Sequence, residues 1–149
     1  MKKTHLVIHH SATPDGQTFS WGAIRKFHVE QRGWRDIGYH FGTELVGDAY
    51  ENIMGREWDD HGAHCPEGGL NAIGLGWCVV GNFDILAPSP ILWTHLIKTG
   101  KYLTRFLKIP VENILGHAEA QAKYGVVSKS CPGKNFDLER FRKEIACLP

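Results

Sequence analysis

The sequence predicts an α/β domain in which helices flank a central mixed β-sheet. Three observations predict it. Short, β-rich apolar runs recur at residues 4–10, 73–80 and 113–117. Segments with apolar residues at helical spacing lie among them, at residues 21–31, after Ser89-Pro90 and from Asp137 to Ala146. The Gly47-Asp48 step between residues 39–46 and 49–54 marks a hairpin, so at least one strand pair is antiparallel.

Residues 4–10 read as a strand ended by the turn-forming run Ser11-Ala12-Thr13-Pro14-Asp15-Gly16. Ser20 suits an N-cap, and residues 21–31 then place Trp21, Ile24, Phe27 and His28 on one helical stripe closed by Gly33. Residues 59–70 are polar and contain Gly62, Pro66, Gly68 and Gly69, which predicts a long loop. Residues 73–80 are apolar on both faces and suit a buried central strand. Ser89 caps a long helix with Pro90 at its first position, Leu92, Leu96, Leu103 and Leu107 in its stripe, and Ile109-Pro110 as its stop. Residues 113–117 read as a short strand, and residues 118–136 as loop with one helical turn at 118–122. Asp137 caps a last helix through Ala146, with Leu138, Phe141 and Ile145 facing the core.

The chain of 149 residues predicts one domain spanning residues 1–149. It carries 17 basic and 16 acidic residues, a net charge of +1, which excludes a strongly basic nucleic-acid binder. Hydrophobic residues at 42% and charged residues at 22% are enough to build a core. The longest apolar stretch, residues 73–81, is far shorter than the ~20 residues of a membrane helix. Behind Lys2 and Lys3 only Leu6-Val7-Ile8 is continuously apolar, against the ~7–15 residues of a secretory core. Neither membrane insertion nor signal-peptide export is therefore expected, and the site of synthesis is expected to be the cytoplasm. Cys65, Cys78, Cys131 and Cys147 form no CxxC pair, which favours a reducing compartment.

The nine histidines are the compositional oddity, and their positions matter more than their number. His9 and His10 close the first strand and His117 a late one, where side chains are rigidly held yet border loops. Cys131 sits in Lys129-Ser130-Cys131-Pro132-Gly133. Two histidines and a cysteine can hold zinc with a fourth position left for water. The spacing alone is weak evidence for zinc and favours two hydrogen-bonded core histidines and a small buried cysteine.

Longer segments decide between these. Val7-Ile8-His9-His10-Ser11-Ala12-Thr13, Gly33-Trp34-Arg35-Asp36-Ile37-Gly38-Tyr39-His40-Phe41, Gly62-Ala63-His64 with Leu70-Asn71-Ala72-Ile73-Gly74, Gly116-His117-Ala118-Glu119 and Lys129-Ser130-Cys131-Pro132-Gly133 run in order over residues 6–138. Together they resemble the type-2 N-acetylmuramoyl-L-alanine amidase family, which includes phage amidases and peptidoglycan recognition proteins. The resemblance implies a sheet with a zinc cleft on one face, with His9, His117 and Cys131 as metal ligands. It implies catalytic roles for Tyr39 and Lys129, and a place in the cleft for His64. Asn71 lies in the third motif and is expected, with Trp34 and Arg35, to contact substrate. Retention of Cys131 argues against a purely non-catalytic recognition protein.

The implied activity is hydrolysis of the amide between the lactyl group of N-acetylmuramic acid and L-alanine. The implied setting is a monomeric phage-type endolysin, made in the cytoplasm and acting on peptidoglycan after release. The alternatives are a peptidoglycan-binding sensor without turnover and a regulatory interaction protein. Of the other polar residues, His10 is expected to point away from the metal, His40 to face away from Tyr39, and His28 and His95 to pack on helices. Asp59, Asp60 and His61 resemble a second metal cluster but suit a solvated loop.

Overall fold

A computed structural model describes residues 2–14, 20–126 and 130–147. Strands β1 (His5–His10), β2 (Phe41–Val46), β3 (Ala49–Met54), β4 (Gly74–Val79) and β5 (Ile114–Gly116) form one sheet in the order β3-β2-β4-β1-β5. β1 lies between β4 and β5 and runs parallel to both, β2 runs parallel to β4, and only the β2–β3 hairpin is antiparallel. Gly47 turns that hairpin at a positive φ of 60°. Parallel strands need cover on both faces, and every residue of β4 is buried, as its unbroken apolar run requires.

The two faces are easily told apart along β1, because successive side chains alternate. Leu6 and Ile8 join the larger core with Trp77, Leu92, Leu96, Phe141 and Ile145. Val7 packs on the opposite face with Cys65, Leu70 and Ala120. α3 (Pro90–Leu107) and α5 (Leu138–Ala146) cover the first face. In α3, Ser89 accepts the Leu92 N–H and Pro90 occupies the first turn; in α5, Asp137 accepts the Arg140 N–H at 2.9 Å.

Several elements differ from the sequence-based expectation. The helix expected over residues 21–31 is α-helical only at α1 (Trp21–Lys26) and continues as a π-helical stretch at Phe27–Gln31. The segment expected to be a long loop contains a 3₁₀ turn at Glu67–Gly69 and runs into α2 (Leu70–Ile73). His117 does not end a strand. It opens α4 (His117–Lys123), two helical turns where one was expected. Tyr39 and His40 precede β2 instead of lying within it. Lys3, which resembles the start of a signal peptide in sequence, is 4% exposed. Its ammonium donates to the carbonyls of Asp60 and Ala72. Among the described residues no helix is long and apolar enough to cross a membrane.

Candidate metal centre

The site is built at the carboxyl ends of parallel strands, where open α/β sheets place their ligands. His9 falls two residues after Val7 and shares its face. The parallel register pairs Ile8 with Gly116, so His9 and His117 are neighbours across β1 and β5, with ring centroids 4.7 Å apart. Cys131 reaches them from the loop after α4. Its carbonyl accepts the Ala118 N–H at 2.7 Å, and Asp84 clamps the same loop by accepting Ser130 Oγ–H at 2.6 Å and the Lys134 N–H at 3.0 Å. The Ser130 hydrogen bond holds the Asp84 carboxyl below its ordinary range.

The donor atoms of His9, His117 and Cys131 lie within 4.8 Å of one another, and His9 and Cys131 are buried. His9 Nδ1 stands 3.6 Å from Cys131 Sγ. A tetrahedral zinc at ~2.0–2.1 Å from nitrogen and ~2.3 Å from sulfur separates those donors by about 3.6 Å. Two imidazoles and a thiol with that spacing fit zinc and leave one position open.

The ring of Tyr39 lies 5.1 Å from that of His9. Burial, reinforced by Cys78 and Cys131, raises its hydroxyl well above the ordinary value, so it stays protonated as a hydrogen-bond donor. A cleft of about 390 Å³ opens beside it, lined by Ser11, Thr13, Ala23, Ile24, Phe27 and His28. His64 Nδ1 lies 3.1 Å from His9 Nε2, and burial depresses its pKa, so it is a neutral imidazole against the distal nitrogen of His9. Gly76 makes this possible, since a Cβ there would overlap the His64 ring. Asn71 Oδ1 accepts the N–H groups of His64 and Cys65, both at 2.8 Å, and so braces the loop that presents His64.

Trp34 packs on His28 at 4.7 Å, and Arg35 is exposed and paired with Asp60 at 2.7 Å. Trp34 is linked to the cluster through His28, whose ring lies 5.6 Å from that of Tyr39. Lys129 lies outside the described residues. His10 turns to the other face of β1, where Phe83 donates its N–H to Nδ1. Asp59, Asp60 and His61 form no metal-ligating group among the described residues. Sequence reasoning missed Glu67, which stands against His117 at 3.7 Å.

Three histidines share one hydrogen-bonding pattern. His10, His28 and His40 each use Nδ1 to accept a backbone N–H, from Phe83, Gly38 and Gly76. His40 also has Nε2 3.0 Å from the Asp60 carbonyl, which fixes a neutral tautomer protonated at Nε2. Burial lowers its pKa to about 4. The unfolded chain binds the proton near pH 6.5 and the folded chain does not. Stability from the neutral ring is therefore present above pH 6.5 and is lost as pH falls towards 4. The urea midpoint of metal-free protein is expected to fall over that interval, and His40→Gln, which cannot charge, to flatten the profile.

The sequence profile of the N-acetylmuramoyl-L-alanine amidase family matches residues 1–134. An endolysin of Enterobacteria phage K11 is 32% identical over 140 residues, covering 94% of this chain and 85% of that protein. Peptidoglycan-recognition protein SC1a of Drosophila melanogaster is 27% identical over 143 residues, covering 89% of this chain and 69% of that protein. Among solved structures, the N-acetylmuramoyl-L-alanine amidase endolysin LysCS of Clostridium intestinale superposes with a TM-score of 0.77. It is 29% identical, covering 99% of this chain and 86% of that one.

Proposed function

This chain belongs to the N-acetylmuramoyl-L-alanine amidase family, and from that premise we propose that it is a zinc-dependent hydrolase of the amide between the lactyl group of N-acetylmuramic acid and L-alanine. The observation that carries the proposal is the convergence of His9, His117 and Cys131 at zinc-ligand spacing beside a protonated Tyr39. Zinc held there supplies Lewis-acid polarisation of the scissile carbonyl and a hydrolytic water acidified towards neutrality.

The chain's own residues supply the rest. The Tyr39 hydroxyl donates a hydrogen bond to the oxyanion that develops on the carbonyl oxygen. The buried walls around His9 and Cys131 keep bulk water from weakening that bond. The cleft beside Tyr39, with exposed Phe27 on its wall, receives the muropeptide. Trp34 and Arg35 are proposed as substrate contacts, and His64 and Asn71, expected among them, are proposed to act indirectly, by holding His9 and the His64 loop from beneath.

Lys129 is proposed as a fixed positive charge for the same oxyanion, on its spacing to Cys131 and its match to the family's Lys-x-Cys-Pro element. Lys129→Ala is expected to bind zinc and muropeptide while losing kcat more than it raises KM. Lys129→Arg is expected to rescue poorly, because a planar guanidinium does not place its charge where a compact ammonium does. Steady-state kinetics on both variants check this.

The wider proposal is a monomeric catalytic unit of endolysin type, without a nucleic-acid partner or membrane insertion, synthesised in the cytoplasm and acting on the wall after release. The test is digestion of purified peptidoglycan. The expected result is new free amino groups on L-alanine without new reducing sugar ends, abolished by a chelator. Binding without turnover would turn the assignment to a sensor.

A further inference from the structure

The carboxylate of Glu67 is drawn into the core by three groups. Cys65 Sγ donates to its Oε2 at 3.2 Å, buried Gln121 donates through Nε2 to its Oε1 at 3.1 Å, and His117 Nε2 stands 3.7 Å from Oε2. The side chains of Glu67 and His117 are only 10% and 12% exposed. Gln121 follows His117 by four residues on α4, so both reach the same side of that helix. Glu67 comes from the 3₁₀ turn before α2. A carboxylate from one element is thus held by a second element against the ring that this second element carries.

We propose that Glu67 is a positioning residue for the metal centre: it occupies the distal nitrogen of His117 and so turns Nδ1 towards His9 and Cys131. The inference rests on the metal reading above. A histidine ligand usually gives its other nitrogen to a carboxylate or carbonyl, which fixes the tautomer and strengthens the donor. Here Nε2 faces Glu67, which leaves Nδ1 for the metal, as His9 presents its own Nδ1 to Cys131 while Nε2 meets His64. The 3.7 Å separation is an electrostatic contact rather than a hydrogen bond.

Cys65, Glu67 and His117 also satisfy the spacing of a metal-ligating group by themselves. The inference places the ion on the Cys131 side. There His9 and Cys131 stand at the tetrahedral separation, whereas on the other side the Cys65 thiol is engaged as a donor to Glu67.

The test is zinc affinity, read by competition between the metal-free protein and a chromophoric chelator, with thermal unfolding as a parallel measure of folding. Glu67→Ala is expected to weaken zinc binding by about 10–100-fold. Glu67→Gln, which keeps the shape and an acceptor oxygen, is expected to recover part of that loss and covers the case in which the alanine variant fails to fold. Cys65→Ser is expected to bind zinc within a few-fold of wild type. Folded Glu67→Ala and Glu67→Gln that hold zinc as tightly as wild type would overturn the inference. Loss of zinc in a folded Cys65→Ser would overturn it too, by moving the metal to the other group. A wild-type protein that binds no zinc would instead remove the metal reading beneath it.

Discussion

Cys131→Ser is expected to fold, to lose its zinc and to lose peptidoglycan hydrolysis by at least ~10³-fold. The substitution is nearly isosteric at a position 8% exposed, and the backbone of Cys131 stays bonded to Ala118. The hydroxyl of serine does not ionise near neutral pH, so the only sulfur donor of the set is gone. Lewis-acid stabilisation of several kcal/mol is lost with the metal, at 1.36 kcal/mol per tenfold in rate. The paired measurements are elemental zinc per chain and the rate of amino-group release. A serine variant that keeps both would place the metal elsewhere.

Tyr39→Phe is expected to separate chemistry from metal binding. Phenylalanine keeps the ring beside His9 and removes one hydroxyl. Loss of a single oxyanion donor typically costs ~10²–10³ in kcat. Zinc content should match wild type, since Tyr39 is not a ligand, and stability should fall by no more than about 1 kcal/mol from the hydroxyl's lost hydrogen bond with the Cys78 thiol. The readout is kcat on peptidoglycan alongside zinc content. Wild-type turnover in the phenylalanine variant would remove Tyr39 from the mechanism.

Much of the fold is legible in the sequence because its signals are local. The alternation Leu6-Val7-Ile8-His9 sorts side chains to the two faces of β1, and the caps Ser89 and Asp137 announce α3 and α5. The cluster of His9, His117 and Cys131 is legible only through the order of the five motifs, because nothing in its spacing brings together residues more than a hundred positions apart. Glu67 is not legible at all. In sequence it sits between proline and two glycines and reads as loop, and its task comes from Gln121, 54 residues away. Asn71 is singled out by its motif, but its actual task, like that of Gly76, is not foretold there. An amide that braces the His64 loop and a strand position bare enough to receive the His64 ring are defined by tertiary partners. The π-helical stretch at Phe27–Gln31 also lies beyond periodicity. There His28 is drawn to the Gly38 N–H, and the stripe of α1 cannot foresee that bond.

The central claim is that a zinc held by His9, His117 and Cys131 performs the hydrolysis. It is tested most directly by adding zinc stepwise to metal-free protein while following bound metal and amino-group release from peptidoglycan together. The account predicts that both rise in parallel and saturate at one zinc per chain, and that neither rises in Cys131→Ser. Full turnover in the metal-free protein, or zinc binding to wild type with no release of L-alanine amino groups, would contradict it.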